Sequence, residues 1–192
     1  MSGRTWVYSD PHFYNGNICK FTNYDGSKLR PWYDANEMTE EMLQWYNDAV
    51  ADGDRVYLLG DIAFTPSLFR KAVSRMKGRK CLILGNHDPK NLRKYFDLLD
   101  DVRGYVQRSG FIMSHIPIHA GSLGRWKLNI HGHLHNNTVM KDYINGYETP
   151  KDDTYNPLTE EIADTRYYCA CVERTNFRPK LLDEILHERG LK

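Results

Sequence analysis

The sequence has little of what marks secreted, membrane-spanning or polyanion-coating proteins. Its 192 residues include four cysteines, too few and too scattered for a disulfide-stapled scaffold. No apolar run approaches the roughly 18 residues that a membrane helix needs, and the first residues lack the apolar core of a signal peptide. Basic and acidic side chains nearly cancel, 26 against 25, so no strong overall field attracts nucleic acid. We therefore expect a cytoplasmic protein with no membrane partner.

Linkers, internal repeats and low-complexity tracts are also absent, and the length fits a single domain over residues 1–192. Instead, short apolar runs recur, and each ends in a small or polar residue. Such runs, rich in β-branched and aromatic residues, are typical of strands buried on both faces. The predicted strands span residues 6–8, 56–59, 81–84, 111–113, 128–130 and 167–172.

Amphipathic helices are predicted between some of these strands. Apolar residues fall on one face at helical spacing over residues 38–50. In the next helix Thr65 is a suitable N-cap, Pro66 suits the first helical position, and Gly78 is expected to stop it. A third helix is predicted over residues 91–99. The second helix joins two strands as a βαβ crossover, which indicates an α/β fold with parallel strands.

Residues 136–166 differ from the rest of the chain. They are polar, contain Asn145-Gly146 and two prolines, and follow no clear period. Long segments of this kind in compact domains are usually functional lids or disordered. We predict a lid or contact loop around residues 136–166.

The residues that coordinate metals or move protons follow the predicted strands, where each strand ends. The carboxyl ends of strands in an open α/β sheet converge on one crevice, so five separate segments would deliver polar groups to one place. The set mixes carboxylate and amide oxygens with imidazole nitrogens and holds no thiolate. It suits Mn, Fe, Zn or Co better than Ca²⁺ or a tetrathiolate zinc site. The candidates are Asp10, His12, Asp61, Asn86, His87, His115, His133 and His135.

The number of candidate ligands indicates more than one ion. About seven ligands are too many for one tetrahedral ion, but they suit two ions about 3.5–4 Å apart that share a bridging carboxylate. Asp10 and His12 are two residues apart, as are His133 and His135. An extended chain places alternate residues on one side, so both members of each pair can face the site.

Five short motifs occur in a fixed order and together span about two-thirds of the chain. They read Asp10-Pro11-His12, Gly60-Asp61, Gly85-Asn86-His87-Asp88, Ser114-His115 and Gly132-His133-Leu134-His135. Each motif alone would be an ordinary turn after a strand. In this order they resemble the signature of the calcineurin-like metallophosphoesterase superfamily, and the chain's size resembles a small bacterial and phage branch of it. The resemblance implies a four-layer αββα sandwich.

The resemblance also implies a role for each position. One metal ion would be held by Asp10, His12 and His135. The other would be held by Asn86, His115 and His133. Asp61 would bridge the two ions, while His87 would lie over the substrate phosphate with Asp88 as its orienting partner. We expect two divalent metal ions. Mn²⁺ is the leading candidate for their identity, and Fe, Zn, Co and Ni are alternatives.

The implied reaction is the hydrolysis of a small phosphate ester. Two divalent cations neutralise the phosphate oxygens that repel a nucleophile, and they lower the pKa of a shared water from about 15.7 towards about 7. Hydroxide then attacks phosphorus in line with the leaving oxygen. A protonated His87 would stabilise the developing charge or protonate the leaving alkoxide.

Two features bear on the substrate. The aromatic-rich segment from Phe13 to Tyr24 follows the first ligand pair and could stack on a base, with Asn17 near the phosphate. Ordinary packing is the alternative interpretation of that segment. His119 could contact the substrate from a loop or be structural. The leading substrate is therefore a nucleotide or cyclic nucleotide, with both monoesters and diesters left open.

Two other functions stay open from the sequence. Some relatives in this fold are non-catalytic scaffolds, although the complete ligand set and His87 favour an enzyme. A nuclease is disfavoured because the chain lacks a large basic excess and an accessory DNA-binding domain. The basic run at residues 70–80 would then be a solvated helix face rather than a nucleic-acid patch.

The other histidines and cysteines have simpler predicted roles. His131 is interpreted as a buried structural histidine, and His187 as a surface residue of a C-terminal helix. Cys169 and Cys171 point to one side of a strand and are interpreted as buried apolar cysteines.

Overall fold

The computed structural model describes residues 3–144, 147–149 and 160–192. Twelve strands and three α-helices occur in this part of the chain. The helices are α1 Ala35–Ala49, α2 Pro66–Val73 and α3 Leu182–Glu188. The strands are β1 Thr5–Tyr8, β2 Arg55–Leu58, β3 Arg79–Ile83, β4 Asp101–Arg103, β5 Tyr105–Arg108, β6 Phe111–Ser114, β7 Leu128–His131, β8 Met140–Ile144, β9 Tyr147–Thr149, β10 Glu160–Ala163, β11 Tyr167–Cys169 and β12 Lys180–Leu181.

Two sheets carry the core of the fold. The first has five strands in the order β12-β1-β2-β3-β4, and the second has four in the order β11-β7-β6-β5. Strands β1 to β4 run parallel to one another, as do β6, β7 and β11. The six predicted strands are all present, and β2, α2 and β3 form the predicted crossover. The α/β class is confirmed.

The two sheets pack face to face through a shared apolar core. Val7 and Leu59 at one side contact the same cluster as Met113 and Ile130 at the other, and α3 adds Ile185. Helices α1 and α2 cover the outer face of the first sheet. The outer face of the second sheet packs against a segment with a short 3-10 helix, Ala120–Ser122, so this fourth layer is thin.

The helix boundaries follow the capping chemistry only in part. Asp34 caps α1 by accepting hydrogen bonds from two backbone amides, and Thr65 caps α2 as predicted. Helix α2 ends at Val73, before Gly78, because its last residues tighten into i→i−3 bonds such as Met76 N to Val73 O.

The predicted helix over residues 91–99 was wrong. The structure has only a 3-10 helix, Leu92–Tyr95, in this segment. The amide of Asp100 already bonds to the Lys80 carbonyl beside β3, and β4 begins at the next residue. This early pairing leaves too little chain for an α-helix of that length.

The stretch at residues 136–166 is more ordered than predicted where the structure describes it. Strands β8, β9 and β10 form a small antiparallel sheet in the order β10-β8-β9. Antiparallel pairing is made by backbone groups and needs no helical or two-residue apolar period, which is why the sequence pattern missed it. Residues 145–146 and 150–159 lie outside the described residues, and the role as a lid stays a prediction.

No helix in the described ranges combines the length and apolar character that a membrane span requires. This agrees with the short apolar runs of the sequence.

Candidate metal centre

Six side chains at the ends of strands form two groups of three. Within each group, one ligand atom of every residue lies within 4.8 Å of the others. The first group is Asp10, His12 and His135, and the second is Asp61, His115 and His133. These residues follow the carboxyl ends of β1, β2, β6 and β7, so both sheets contribute to one site.

Asp61 lies between the two groups. Its Oδ2 is 3.8 Å from Nε2 of His12 in the first group and 3.5 Å from Nε2 of His115 in the second. Oδ1 of Asn86 is 2.8 Å from the same His115 nitrogen, so Asn86 joins the second group. The seven predicted ligands are thus together, and Asp61 occupies the position that a bridging carboxylate would need.

The backbone at these ligands is unusual. Asp10, His12, Asp61, His133 and His135 all have positive φ, between 49° and 70°. The left-handed region costs an L-residue about 1–2 kcal/mol, with a lower cost for aspartate. Such strain persists only where surrounding structure holds it, and it concentrates at functional sites. Here hydrogen bonds such as Asp10 N to Gly60 O, 3.1 Å, hold adjacent strand ends together.

The glycines of the motifs make room for the carboxylates. A Cβ at Gly85 would collide with the side chain and backbone amide of Asp61. A Cβ at Gly132 would collide with Ser9 Oγ and Asp10 Oδ2. Any other residue at these two positions would therefore displace a predicted ligand.

The residues of the first group fit a divalent cation. Asp10 Oδ1 and both ring nitrogens of His12 are buried without a hydrogen-bond partner among the described residues. Burial lowers the pKa of His12 to about 2, with the charge of Arg30 as a second cause, so its imidazole is in the neutral form that binds metals. Burial also raises the pKa of Asp10. A cation beside these atoms would satisfy the unpaired groups and supply the missing counter-charge.

Hydrogen bonds fix the remaining atoms of the ligands. Asp10 Oδ2 accepts from Ser9 Oγ at 2.5 Å, from the His133 amide at 2.9 Å and from Cys171 Sγ at 3.3 Å. His115 Nδ1 lies 2.7 Å from the Leu59 carbonyl, which requires the proton to be on Nδ1. The other nitrogen of His115, which faces Asn86 Oδ1 at 2.8 Å, is then unprotonated, as metal ligation requires.

A buried ion pair behind the centre was missed from the sequence. Glu173 Oε1 accepts from Arg30 Nε at 2.8 Å and lies 3.0 Å from His135 Nδ1. Arg30, which is 0% exposed, also donates to the backbone carbonyls of Asp10 and Pro11, both at 2.7 Å. Burial would raise the pKa of Glu173, but the charge of Arg30 and the His135 bond outweigh it and hold the pKa at about 2. No local motif signals this arrangement, because the partners are far apart in the chain.

Replacing Glu173 by glutamine should weaken metal binding at the centre. The variant keeps the shape of the side chain but removes the charge that orients His135, and loss of such a partner typically costs about 10–100-fold in metal affinity. A Mn²⁺ titration of the purified variant measures this directly. Glu184→Gln, at an exposed ion pair with Lys180, is the matched control. Unchanged Mn²⁺ affinity in a folded Glu173→Gln protein would contradict the orienting role.

His87 and Asp88 lie on the loop after β3, and they have different surroundings. The His87 ring is exposed, and its centroid is 6.0 Å from that of His12. Asp88 is buried, and its carboxylate accepts from the backbone amides of Asp61, Ile62 and Gly85 at 2.8–3.0 Å. Asp88 therefore ties this loop to the backbone of Asp61 and Ile62, and none of these bonds goes to His87, the residue it was predicted to orient.

The two residues predicted to contact substrate lie in different settings. Asn17 borders a cavity beside Phe64. His119 is exposed, and its Nδ1 accepts from the Gly121 amide at 3.2 Å, which caps the 3-10 helix Ala120–Ser122. Substrate contact by either residue stays a prediction.

The remaining predicted structural residues are placed as follows. His131 is buried, its Nδ1 is 2.8 Å from the Gly132 carbonyl, and burial lowers its pKa to about 4. Cys171 is fully buried and Cys169 partly so. His187 is exposed on α3.

Comparison with known proteins identifies the family. Residues 3–179 match the model of the calcineurin-like phosphoesterase family. The chain belongs to this family. Its two clusters of aspartate and histidine fit the binuclear centre of a calcineurin-like phosphoesterase, and the family membership makes it a metal-dependent phosphoester hydrolase by class.

Two relatives show how far the similarity extends. The chain is similar to the uncharacterized protein MJ1445 of Methanocaldococcus jannaschii, with 30% identity over 193 residues, covering 97% of this chain and 93% of that protein. It is also similar to the crystal structure of AQ665, a protein of unknown function from Aquifex aeolicus. That match has a TM-score of 0.62 and 22% identity and covers 97% of this chain and 99% of the other. At that identity the second match shows the fold alone.

Proposed function

We propose that this calcineurin-like phosphoesterase hydrolyses a small phosphate ester at a centre of two metal ions. The observation that carries the proposal is Asp61 Oδ2, placed 3.8 Å from His12 Nε2 in one ligand group and 3.5 Å from His115 Nε2 in the other. When bound, two divalent cations would neutralise the phosphate and make a water nucleophilic near neutral pH.

The chain's own residues supply the other contributions to the reaction. The buried ligands hold one geometry, because the bonds of Asp10 and His115 to their neighbours leave one oxygen or nitrogen free to face the centre. His87 is exposed beside them and can give a proton to the leaving oxygen as the phosphorus–oxygen bond breaks. Asp88 keeps the loop of His87 against Asp61 through backbone amides.

A cavity beside the centre supports a nucleotide or cyclic nucleotide as the substrate. It has a volume of about 300 Å³, and Phe64 forms the wall nearest to the ligands. The Phe64 ring centroid lies 4.4 Å from that of His87 and 5.4 Å from that of His12. The cavity is lined by Phe13, Tyr14, Asn15, Gly16, Asn17, Lys20, Phe64 and Leu68. Aromatic walls with one lysine suit a base and a nearby negative charge.

A Mn²⁺-loaded assay on a panel of esters tests the proposal. The panel comprises a chromogenic phosphomonoester, a chromogenic phosphodiester, 2′,3′-cyclic nucleotides and glycerol phosphate. Hydrolysis of at least one ester that is lost on chelation and restored by Mn²⁺ is the expected result. Activity on none of them, with two ions bound per chain, would favour a non-catalytic scaffold instead.

Replacing Phe64 by alanine should raise KM for a cyclic nucleotide. Base–aromatic stacking contributes about 1–3 kcal/mol of binding free energy, which corresponds to an increase in KM of about five- to hundredfold. The KM for glycerol phosphate, which has no ring to stack, should change little. Steady-state kinetics on both substrates measures the difference. Phe21→Ala, an exposed aromatic that does not line the cavity, is the control. Equal changes for both substrates would mean that Phe64 only supports His12 and His87.

The basic run at residues 70–80 is not one helix face as predicted, because α2 ends at Val73 and β3 begins at Arg79. Arg70 pairs with Asp97 at 2.7 Å, Arg75 is held by Glu40, and Lys80 donates to two backbone carbonyls. These three charges are engaged within the protein, which supports a small ester, rather than a long nucleic acid, as the substrate.

A further inference from the structure

A second, larger cavity lies at the opposite end of the strands that lead to the metal centre. Its volume is about 640 Å³. Arg55 and Arg79 begin β2 and β3, and the far ends of those strands lead to the predicted ligands Asp61 and Asn86. Both sheets line this cavity, through β2, β3 and β4 on one side and β5 on the other. It is therefore separate from the site described above.

The positive charge of this cavity exceeds its negative charge. Four arginines line it, Arg55, Arg79, Arg103 and Arg108, together with two carboxylates, Asp100 and Asp101. We call the four arginines the arginine cleft. Arg103 is paired with Asp101 at 2.7 Å, and Arg108 donates to Tyr57 Oη at 2.9 Å. Within the ranges that the structure describes, neither the Arg55 nor the Arg79 guanidinium has a hydrogen bond or ion pair.

The two unpaired arginines lie side by side. Arg55 and Arg79 are direct partners in the parallel pairing of β2 and β3. Tyr57 and Cys81, two residues further along, are buried in the core between the sheets. Because alternate residues of a strand share a face, both arginines project on the side of the second sheet. Like charges at paired positions destabilise a sheet, and an anion between them would remove that penalty.

We propose that the arginine cleft binds a small molecule that carries two or more phosphate groups. Four guanidinium groups against two carboxylates leave a net positive charge of two, which one multivalent anion would neutralise. Guanidinium groups match phosphate oxygens in paired, charge-assisted hydrogen bonds. The volume also falls within the range of small-molecule sites, about 300–1,000 Å³. An inorganic polyphosphate and the phosphate chain of a nucleotide share this chemistry.

Arginine footprinting locates such binding independently of catalysis. The metal-loaded protein is treated with phenylglyoxal, with and without tripolyphosphate or adenylyl imidodiphosphate, and Mg²⁺ is kept in excess of the probe. Mass spectrometry then reports the modification of each arginine. Protection of Arg55 and Arg79, with Arg178 and Arg189 unprotected, is the expected result. If tripolyphosphate protects these arginines as strongly as the nucleotide does, the cleft recognises the phosphates alone. Stronger protection by the nucleotide would mean that its nucleoside also contacts the cleft.

A charge-matched pair of variants tests the affinity. In a calorimetric titration with tripolyphosphate, R55Q/R79Q should bind at least about tenfold more weakly at the cleft, because each of the two substitutions removes a charge-assisted hydrogen bond. R178Q/R189Q removes the same charge from exposed positions elsewhere and should bind like the unmodified protein. Equal weakening in both variants, or unchanged labelling of Arg55 and Arg79 with either probe, would overturn the proposal. Since neither readout needs hydrolysis, the result does not depend on the proposed phosphoesterase activity.

Discussion

Replacing His87 by alanine should lower turnover by about 10²–10⁴-fold while leaving the metal content unchanged. His87 is exposed beside the two ligand groups, and its ring contacts Phe64 and His12 rather than joining either group. Loss of the ring therefore removes a proton donor but no ligand atom. The measurement is kcat on a Mn²⁺-responsive ester together with elemental analysis of the same sample.

The controls for His87 separate catalysis from structure. Its backbone amide donates to Asp61 Oδ1 at 2.8 Å, and alanine keeps this bond. His187→Ala removes an exposed imidazole from α3 and should leave kcat unchanged. A His87→Ala protein with full metal content and a kcat near that of the unmodified enzyme would refute the proton-donor role.

Replacing Asp61 by asparagine should remove one or both metal ions. Asp61 is 2% exposed, and its Oδ2 is the oxygen within 4 Å of both His12 Nε2 and His115 Nε2. Asparagine has nearly the same shape but lacks the negative charge that would offset two dications, and its NH₂ group cannot act as a ligand. We expect elemental analysis after gel filtration to find at most one ion per chain, with kcat reduced accordingly.

A surface aspartate provides the matched control. Asp97→Asn makes the same chemical change at an exposed ion pair with Arg70 and should keep the full metal content. Thermal unfolding of both variants separates loss of metal from loss of fold. An Asp61→Asn protein that keeps two ions would show that Asp61 does not bridge them.

The strands and the candidate ligands could be predicted from the sequence because both have local signatures. A buried parallel strand is a continuous apolar run, and the residue after it lies at the sheet's carboxyl edge. Five such edges each carried Asp, Asn or His, so convergence at one site followed from topology alone. The helix caps were also local, as the Thr65 side chain accepting from Leu68 N illustrates.

Other features depended on competition between segments. The apolar pattern at residues 91–99 fits a helix, yet pairing of Asp100 with Lys80 ended that segment early. Asp88 looked like a partner for its neighbour His87, but the carboxylate bonds to amides of the loop after β2. Each outcome was decided by a group that is distant in the chain and adjacent in space.

By itself, the sequence determined the family, the α/β class and the types of ligand atoms, since these depend on residue identity, order and spacing. Only the tertiary structure decided which oxygen of Asp61 lies between the two groups, how Arg30 and Glu173 hold His135, and that Arg55 and Arg79 meet at the other end of the strands. The reason is physical. Burial, hydrogen-bond geometry and the pairing of charges are properties of neighbours in space, and strand register and sheet packing choose those neighbours.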